Sequence, residues 1–376
     1  RRALLEKKLS YTDNLPMRAG IIGATGYAGA EITRLLAGHP RIDGLALSST
    51  SFEGEAFSSV YPNFLGRIDA KLEKSELVIE KSDVVFGALP NTTAEAYAAL
   101  CVKKGVPFID MSADFRFESE DIYAKWYGSR WKEPALHQKS VYGLSEFNRK
   151  LIKERALQSG GSKPAPVVIG NPGCYPTCAS LAAWPALKRG IAACGTIIVD
   201  AVSGITGGGR EPQRSFHYPE CADSCTAYKA GSHRHTPEIR RNFSAMAGGA
   251  REAIFTPHLA PMNRGILATL YIPLEKRYQG TDAKKLAEIR GIYAEFYAEE
   301  RFVRILPEGL CAATGRLRGS NYCDIGIHRD EGGTTLILTA AIDNMIKGAA
   351  GQAVQNMNII FGFDEADGLN YQSALF

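Results

Sequence analysis

Cys174 sits in Gly170-Asn171-Pro172-Gly173-Cys174-Tyr175-Pro176-Thr177, and that octapeptide carries the most chemistry in the chain. A strand ends, Pro-Gly forces a sharp turn, and the cysteine opens the Ala-rich stretch Cys178 to Leu187. A helix amino terminus favours thiolate over thiol. A thiolate attacks an activated acyl carbon such as that of an acyl phosphate. N–H groups around Gly173 and Cys174 are placed to hold the resulting oxyanion. Gly231-Ser232-His233-Arg234-His235-Thr236-Pro237-Glu238 puts two of the seven histidines within three positions. Imidazole is the side chain suited to proton transfer near neutral pH. Thr236-Pro237-Glu238 also has the form of a helix start, which would fix His235. His235 is therefore the first choice of acid/base and His233 the second. Arg116, in Ser112-Ala113-Asp114-Phe115-Arg116, and Arg210, after Gly207-Gly208-Gly209, are candidate anion clamps, since guanidinium grips phosphate or carboxylate bidentately. The series His217-x3-Cys221-x3-Cys225 matches no common zinc spacing and lacks an evident fourth ligand, so no metal is expected.

A second constellation lies near the amino end. Ala19 to Ile22 reads as a strand, Gly23-Ala24-Thr25-Gly26-Tyr27-Ala28-Gly29 as a turn, and Ile32, Leu35 and Leu36 recur at helical spacing. A glycine turn between a first strand and a first helix lets backbone approach a pyrophosphate at the helix amino terminus. The spacing is G-x-x-G-x-x-G, not the usual G-x-G-x-x-G. The second strand ends Leu47-Ser48-Ser49-Thr50-Ser51, with no carboxylate at the place where NAD sites hold the ribose hydroxyls. Ser48 and Ser49 offer hydroxyls to a 2′-phosphate, which points to NADP. No Arg is adjacent, and Glu53 lies close by.

The elements that must position these groups alternate strand and helix through the first half. Strands are expected at Leu45 to Leu47, Asp83 to Phe86 with a turn at Leu89-Pro90, Pro107 to Asp110 and Pro166 to Ile169, with a helix at Ala94 to Leu100. This is the pattern of a parallel sheet covered by helices on both faces. The second half reads as a run of strands: Thr196 to Val202 entering the loop Gly204 to Gly209, Ala253 to Thr256, Gly265 to Ile272, and a hairpin Tyr322 to Ile327 with Thr334 to Ile342. The fold class is thus α/β: a Rossmann-like dinucleotide domain, 17–177 and 345–376, and an α+β catalytic and dimerisation domain, 178–344. A last Ala-rich helix runs from Lys347 to Met357, and residues 1–16 form an arm or tag.

Bulk properties narrow the function classes. The 376 residues are 45% hydrophobic and 22% charged, an ordinary globular composition long enough for two domains. A net charge of +4, without a Lys/Arg-dense stretch, argues against nucleic acid and suits a small anionic substrate. No apolar run spans a bilayer. Eight scattered cysteines in so long a chain read as reduced thiols, and the expected location is the cytoplasm.

From about Met17 to Gly362 the chain resembles the N-acetyl-gamma-glutamyl-phosphate reductases of arginine biosynthesis, within the aspartate-semialdehyde dehydrogenase superfamily. The segments that carry the resemblance are GATGYAGAE (23–31), SADFR (112–116), VYGLSE (141–146), GNPGCYPT (170–177), SGITGGGR (203–210), GSHRHTPEI (231–239), PHLAPMNRGI (257–266) and DNMIKGAAGQAVQ (343–355). The resemblance implies that Cys174 is the nucleophile and that Gly23, Ala24, Thr25, Gly26, Tyr27 and Ala28 hold NADP. It implies an acyl-phosphate site among Arg116, Tyr142, His217, His233, His235 and Glu238, and Asn344 near the nicotinamide. Leu89, Pro90, Ser203 and Gly204 are assigned to the cofactor, and Asn171 and Arg210 to the substrate. A homo-oligomer, dimer or tetramer, is expected. Cys178 and Ala183-Trp184 depart from the family pattern in the helix behind the nucleophile. Two alternatives stand beside this reading: an aspartate-semialdehyde dehydrogenase acting on the shorter acid, and a non-enzymatic dinucleotide-binding sensor.

Overall fold

The computed structural model describes residues 16–161 and 163–373. The expected arm, apart from Pro16, lies outside the described residues. The chain forms two compact units, one built from the residues up to Pro172 together with Ala349–Asn370, the other from Gly173–Gly348.

The first unit holds a seven-stranded sheet. Its strands are β1 (Arg18–Ile22), β2 (Gly44–Ser48), β3 (Leu72–Glu73), β4 (Val84–Gly87), β5 (Phe108–Asp110), β6 (Val141–Tyr142) and β7 (Val168–Gly170). They lie in the order β3-β2-β1-β4-β5-β7-β6, and every pairing is parallel. The central strands are short, mostly apolar and buried apart from Arg18 at the start of β1, as parallel strands must be when helices cover both faces. The order reverses beside β1, and the carboxyl end of β1 opens into the glycine turn, where open α/β sheets place their ligands. The helix Gly351–Phe361 returns to this unit and packs on helices Tyr27–Leu36 and Ser145–Ala156.

The second unit holds a mixed sheet of β8 (Ile197–Ser203), β9 (Thr226–Ala227), β10 (Ala253–Leu259), β11 (Ile266–Pro273), β12 (Val303–Ile305), β13 (Cys323–Arg329) and β14 (Thr335–Ile342). The order is β12-β13-β14-β11-β8-β10-β9; β8–β10 and β12–β13 are parallel and the other pairs antiparallel. Helix Cys174–Lys188 lies against β11 and β14, between helices Thr236–Ala247 and Ala283–Phe296. Strands β8, β10 and β11 alternate buried and exposed residues, which leaves Ile198, Ile254 and Tyr271 on the uncovered face.

Two boundaries differ from the sequence reading. The first unit ends at Pro172 and not after Thr177, because the helix opened by Cys174 packs on the second sheet. The expected helix from Lys347 starts as a π turn over Ile346–Ala350, and regular α-helix begins at Gly351. Asp343 caps that entry: its Oδ1 accepts the N–H groups of Met345 and Ile346, at 2.8 and 3.2 Å, and its carbonyl accepts the Gly348 N–H, five residues on, at 3.0 Å.

Candidate active site

In the second unit, Gly173 caps the helix Cys174–Lys188 in an extended conformation with no side-chain cap. The first-turn N–H groups are therefore directed at whatever stands before the helix, and Cys174 occupies the first helical position. The residue is half-buried. Cys178, one turn on, is fully buried and burial pushes its thiol well above the ordinary range, so the two cysteines of one helix are chemically distinct.

Three contacts fix Cys174 and the glycine before it. The Gly173 N–H donates to Glu238 Oε1 at 2.9 Å, and Glu238 is fully buried at the start of helix Thr236–Ala247. The His235 ring lies directly on Gly173: a Cβ there would stand 2.5 Å from Nε2. Gly348, in the π turn, closes from another side, where a Cβ would stand 2.8 Å from the Cys174 Cβ. Both glycines are thus required by close approach, one to the imidazole and one to the cysteine.

The two histidines are not equivalent. The His235 N–H donates to His233 Nδ1 at 3.0 Å, so that nitrogen must keep its lone pair and the proton of neutral His233 sits on Nε2. Burial, then Lys229 and Arg234, push His233 down to about 4. The two rings meet edge to face at 4.8 Å between centroids, and Tyr175 presents its ring to both. The Tyr175 hydroxyl meets that of Tyr228 at 3.2 Å.

Asn344, at the end of β14, accepts from Gly265 N–H at 2.7 Å and donates to Thr206 Oγ1 at 3.1 Å, which ties the Ser203-Gly204 loop to the strand. Ser203 is buried and donates to the Gly204 carbonyl. Gly204 has no room for a side chain, since a Cβ would meet the Asn263 carbonyl oxygen at 2.6 Å. Arg210 and His217 are exposed, in the loops on either side of the short turn Arg214–Phe216.

The first unit holds the remaining candidates. Gly23 has φ of +79° and a Cβ would lie 2.3 Å from the Ala88 carbonyl oxygen. At Gly29 a Cβ would lie 2.2 Å from the Gly23 carbonyl oxygen, so the third glycine lets the helix settle on the turn. Gly26 caps helix Tyr27–Leu36 without a side-chain cap, and its first turn, which includes Ala28, carries no acidic residue. Ala24 is buried and its N–H donates to the Ser48 carbonyl at 2.9 Å; the Thr25 and Ser49 hydroxyls meet at 2.8 Å. A cradle of bare backbone before an uncapped, uncharged helix start fits a dinucleotide pyrophosphate. The Ser48 hydroxyl is engaged with Ser75 at 2.8 Å and buried, whereas Ser49 lies nearer the turn.

Leu89 and Pro90 begin the loop after β4, and Asp114 locks that loop. Its carboxylate accepts N–H groups from Thr92 at 2.6 Å and Ala94 at 2.9 Å, and the Tyr123 hydroxyl at 2.7 Å. Thr92 is held there at φ of +72°, a strained conformation for a β-branched residue. Arg116 is buried, with Nε on the Asn171 carbonyl at 2.7 Å and Nη2 on that of Met111 at 3.0 Å. Asn171 donates to the Ala349 carbonyl and accepts from Asn356, and Tyr142 is buried on β6. Asp114, Asp343 and Gly348 were not singled out from the sequence. Asp114 lies inside the Ser112–Arg116 segment, and the Gly-Ala-Ala run at 348–350 is the one sequence signal of close packing there.

The architecture is that of a dinucleotide-binding α/β domain joined to a mixed-sheet domain. Residues 18–155 match the family described as semialdehyde dehydrogenase, NAD binding domain, and residues 174–344 match semialdehyde dehydrogenase, dimerisation domain. An aspartate semialdehyde dehydrogenase II of Vibrio cholerae shares the fold at a TM-score of 0.68 and 15% identity, over 92% of this chain and 98% of that one. The enzyme of Candida albicans solved with NADP does so at 0.65 and 16%, with the same coverage. The N-acetyl-gamma-glutamyl-phosphate reductase of Clostridium beijerinckii is 46% identical over 361 residues, 96% of this chain and 100% of its own length. That of Brachyspira hyodysenteriae is 42% identical over 355 residues, 94% and 98%. The chain belongs to the semialdehyde dehydrogenase family, and within it to the N-acetyl-gamma-glutamyl-phosphate reductases.

Proposed function

We propose that this oxidoreductase reduces N-acetyl-gamma-glutamyl phosphate to the semialdehyde with NADPH, through a thioester on Cys174. The observation that carries the reading is Cys174 at an uncapped helix start with His235 stacked on the preceding glycine. Helix N–H groups favour the thiolate, which attacks the acyl carbon and displaces phosphate. NADPH, when bound, supplies the hydride that reduces the thioester. His235 handles the proton on the hemithioacetal oxygen. His233 serves it from behind: bound to the His235 N–H and neutral at working pH, it orients and does not donate. Glu238 holds Gly173 and with it the cysteine. The glycine turn and the hydroxyl-lined end of β2 hold the cofactor, with Ser49 facing the 2′-phosphate. Arg116 holds the substrate's phosphate. No helix among the described residues is long and apolar enough to cross a membrane. The uncovered face bearing Ile198, Ile254 and Tyr271 receives a second copy of the chain, in line with the dimerisation family matched there.

The test runs the reaction backwards with NADP and phosphate on two aldehydes. N-acetylglutamate semialdehyde should be oxidised at least about a hundredfold more efficiently than aspartate semialdehyde. Equal or reversed rates would overturn the assignment of substrate.

A further inference from the structure

Helix Gly351–Phe361 is buried along its whole length in the first unit, and four of its eleven residues carry amides: Gln352, Gln355, Asn356 and Asn358. A buried amide is costly unless hydrogen-bonded, so a helix that served packing alone would present apolar groups there. Gln352 and Asn356 stand one turn apart and reach the same loop. Gln352 Nε2 donates to the Gly143 carbonyl at 3.1 Å and to the Ser145 hydroxyl at 2.5 Å. That hydroxyl donates in turn to Asn356 Oδ1 at 2.8 Å, and Asn356 Nδ2 donates to the Gly143 carbonyl at 2.7 Å. Gly143 makes room for this, since a Cβ there would stand 2.5 Å from Asn356 Nδ2.

The second bond of Asn356 Nδ2 leads to Arg116. It runs to Asn171 Oδ1 at 3.1 Å, while Asn171 Nδ2 donates to the Ala349 carbonyl at 3.0 Å, so the Asn171 amide is held at both ends. The main chain of the same residue is equally engaged. Its N–H donates to the Asp110 carbonyl at 2.8 Å, and its carbonyl accepts Arg116 Nε at 2.7 Å. Arg116 Nη2 donates to the Met111 carbonyl at 3.0 Å. Two carbonyls thus aim the guanidinium, and one of them belongs to the residue that Asn356 grips. Asn171 and Asn356 are both buried, so solvent does not replace a bond lost between them.

Resting on the reading of Arg116 as the holder of the substrate's phosphate, we infer that Asn356 is a positioning residue for that phosphate. It touches no substrate. It clamps the Asn171 side chain, and the Asn171 carbonyl sets the direction of the Arg116 guanidinium. The return of the last helix to the first unit therefore does more than close the fold: from 185 residues away in sequence it sets the arginine that grips the anion.

The reverse reaction, in which phosphate is a substrate, reads this directly through a double-mutant cycle. Asn356→Asp keeps the shape and replaces the donating NH₂ by an oxygen. It should raise the KM for phosphate roughly threefold to tenfold, with the KM for NADP within about twofold and kcat within about threefold. Arg116→Ala alone should raise the KM for phosphate about tenfold or more. Adding Asn356→Asp to Arg116→Ala should bring no further rise, because the group being positioned is gone. Thermal melting confirms that each variant is folded. If Asn356→Asp does not fold, Ser145→Ala, which frees Asn356 Oδ1, runs the same cycle with a rise of about twofold to threefold. An unchanged KM for phosphate in the Asn356 or Ser145 variant would overturn the inference. So would effects that add in full in the double variant, since they would show a loss felt independently of Arg116. A KM for phosphate that Arg116→Ala leaves unchanged would instead defeat the reading of Arg116 itself, and the inference with it.

Discussion

The glycine turn of the first unit and the cysteine site of the second both present an uncapped helix start, yet they are built in opposite ways. At the turn almost everything is backbone: Gly23, Gly26 and Gly29 supply absent side chains, and the helix that follows has no acidic residue in its first turn. At the cysteine the helix start is equally bare, but side chains from distant parts of the chain converge on it. Glu238 binds Gly173, His235 covers it, and Gly348 admits the π turn. A site that only binds can be made of amides and space. A site that must bond, hold charge and move a proton needs groups whose protonation and position are set by neighbours.

Removing one atom type tests that contrast most severely. Cys174→Ala should lower kcat by about 10⁴-fold or more, while NADPH affinity stays within about twofold. Stopped-flow hydride transfer and fluorescence titration of NADPH read the two quantities separately. Residual turnover above about a hundredth of wild type would remove the covalent step.

The histidines come next. His235→Asn should cost roughly 10²–10³ in kcat, the usual range for a lost acid/base, with little effect on the KM for NADPH. His233→Asn, which keeps a hydrogen-bonding side chain beside the His235 N–H, should cost about tenfold or less. Reversal of that ranking in steady-state kinetics would exchange the two roles.

Gly23→Ala probes the other region. The substitution forces a Cβ to 2.3 Å from the Ala88 carbonyl oxygen at a φ of +79°. The strain should cost roughly 1–3 kcal/mol and raise the KM for NADPH about tenfold. Alkylation of Cys174 by iodoacetamide should proceed at the wild-type rate, because Glu238, His235 and Gly348, which surround the cysteine, all belong to the second unit. A slowed alkylation would show that the two sites are not built independently.

How legible these regions were in the sequence follows from the same contrast. The turn at Gly23–Gly29 and the Pro-Gly-Cys corner could be read directly, since glycine and proline dictate local backbone. The long strands of the second unit showed their period, and Tyr322 to Ile342 was plainly a hairpin. The two-residue strands Leu72–Glu73 and Val141–Tyr142 are too short to have a period at all. Half of helix Ser145–Ala156 is charged, with few apolar positions to mark its buried face. Glu238 was recognisable as part of a motif, but its bond to Gly173 spans 65 residues and no local pattern encodes it. Ser48 illustrates the same limit: its hydroxyl looked available to a phosphate until Ser75, 27 residues on, took it.

The smallest effect concerns stability. His233 is pushed down to about 4 from an ordinary 6.5, chiefly by burial. Its proton is therefore held less well in the folded protein than in the unfolded chain. Above pH 6.5 neither state carries that proton and the group adds no pH dependence. As pH falls from 6.5 towards 4 the unfolded chain takes up the proton first, so stability drops through that window and levels off below it. His233→Asn removes the titrating ring, and the fall in melting temperature between pH 6.5 and 4 should become shallower than in wild type. Glu238→Gln, at the other side chain that touches Gly173, serves as the control. If the His233 variant keeps the full wild-type slope, the depressed imidazole is not what makes this site acid-sensitive, and the case for His233 as a permanently neutral support for His235 loses its basis.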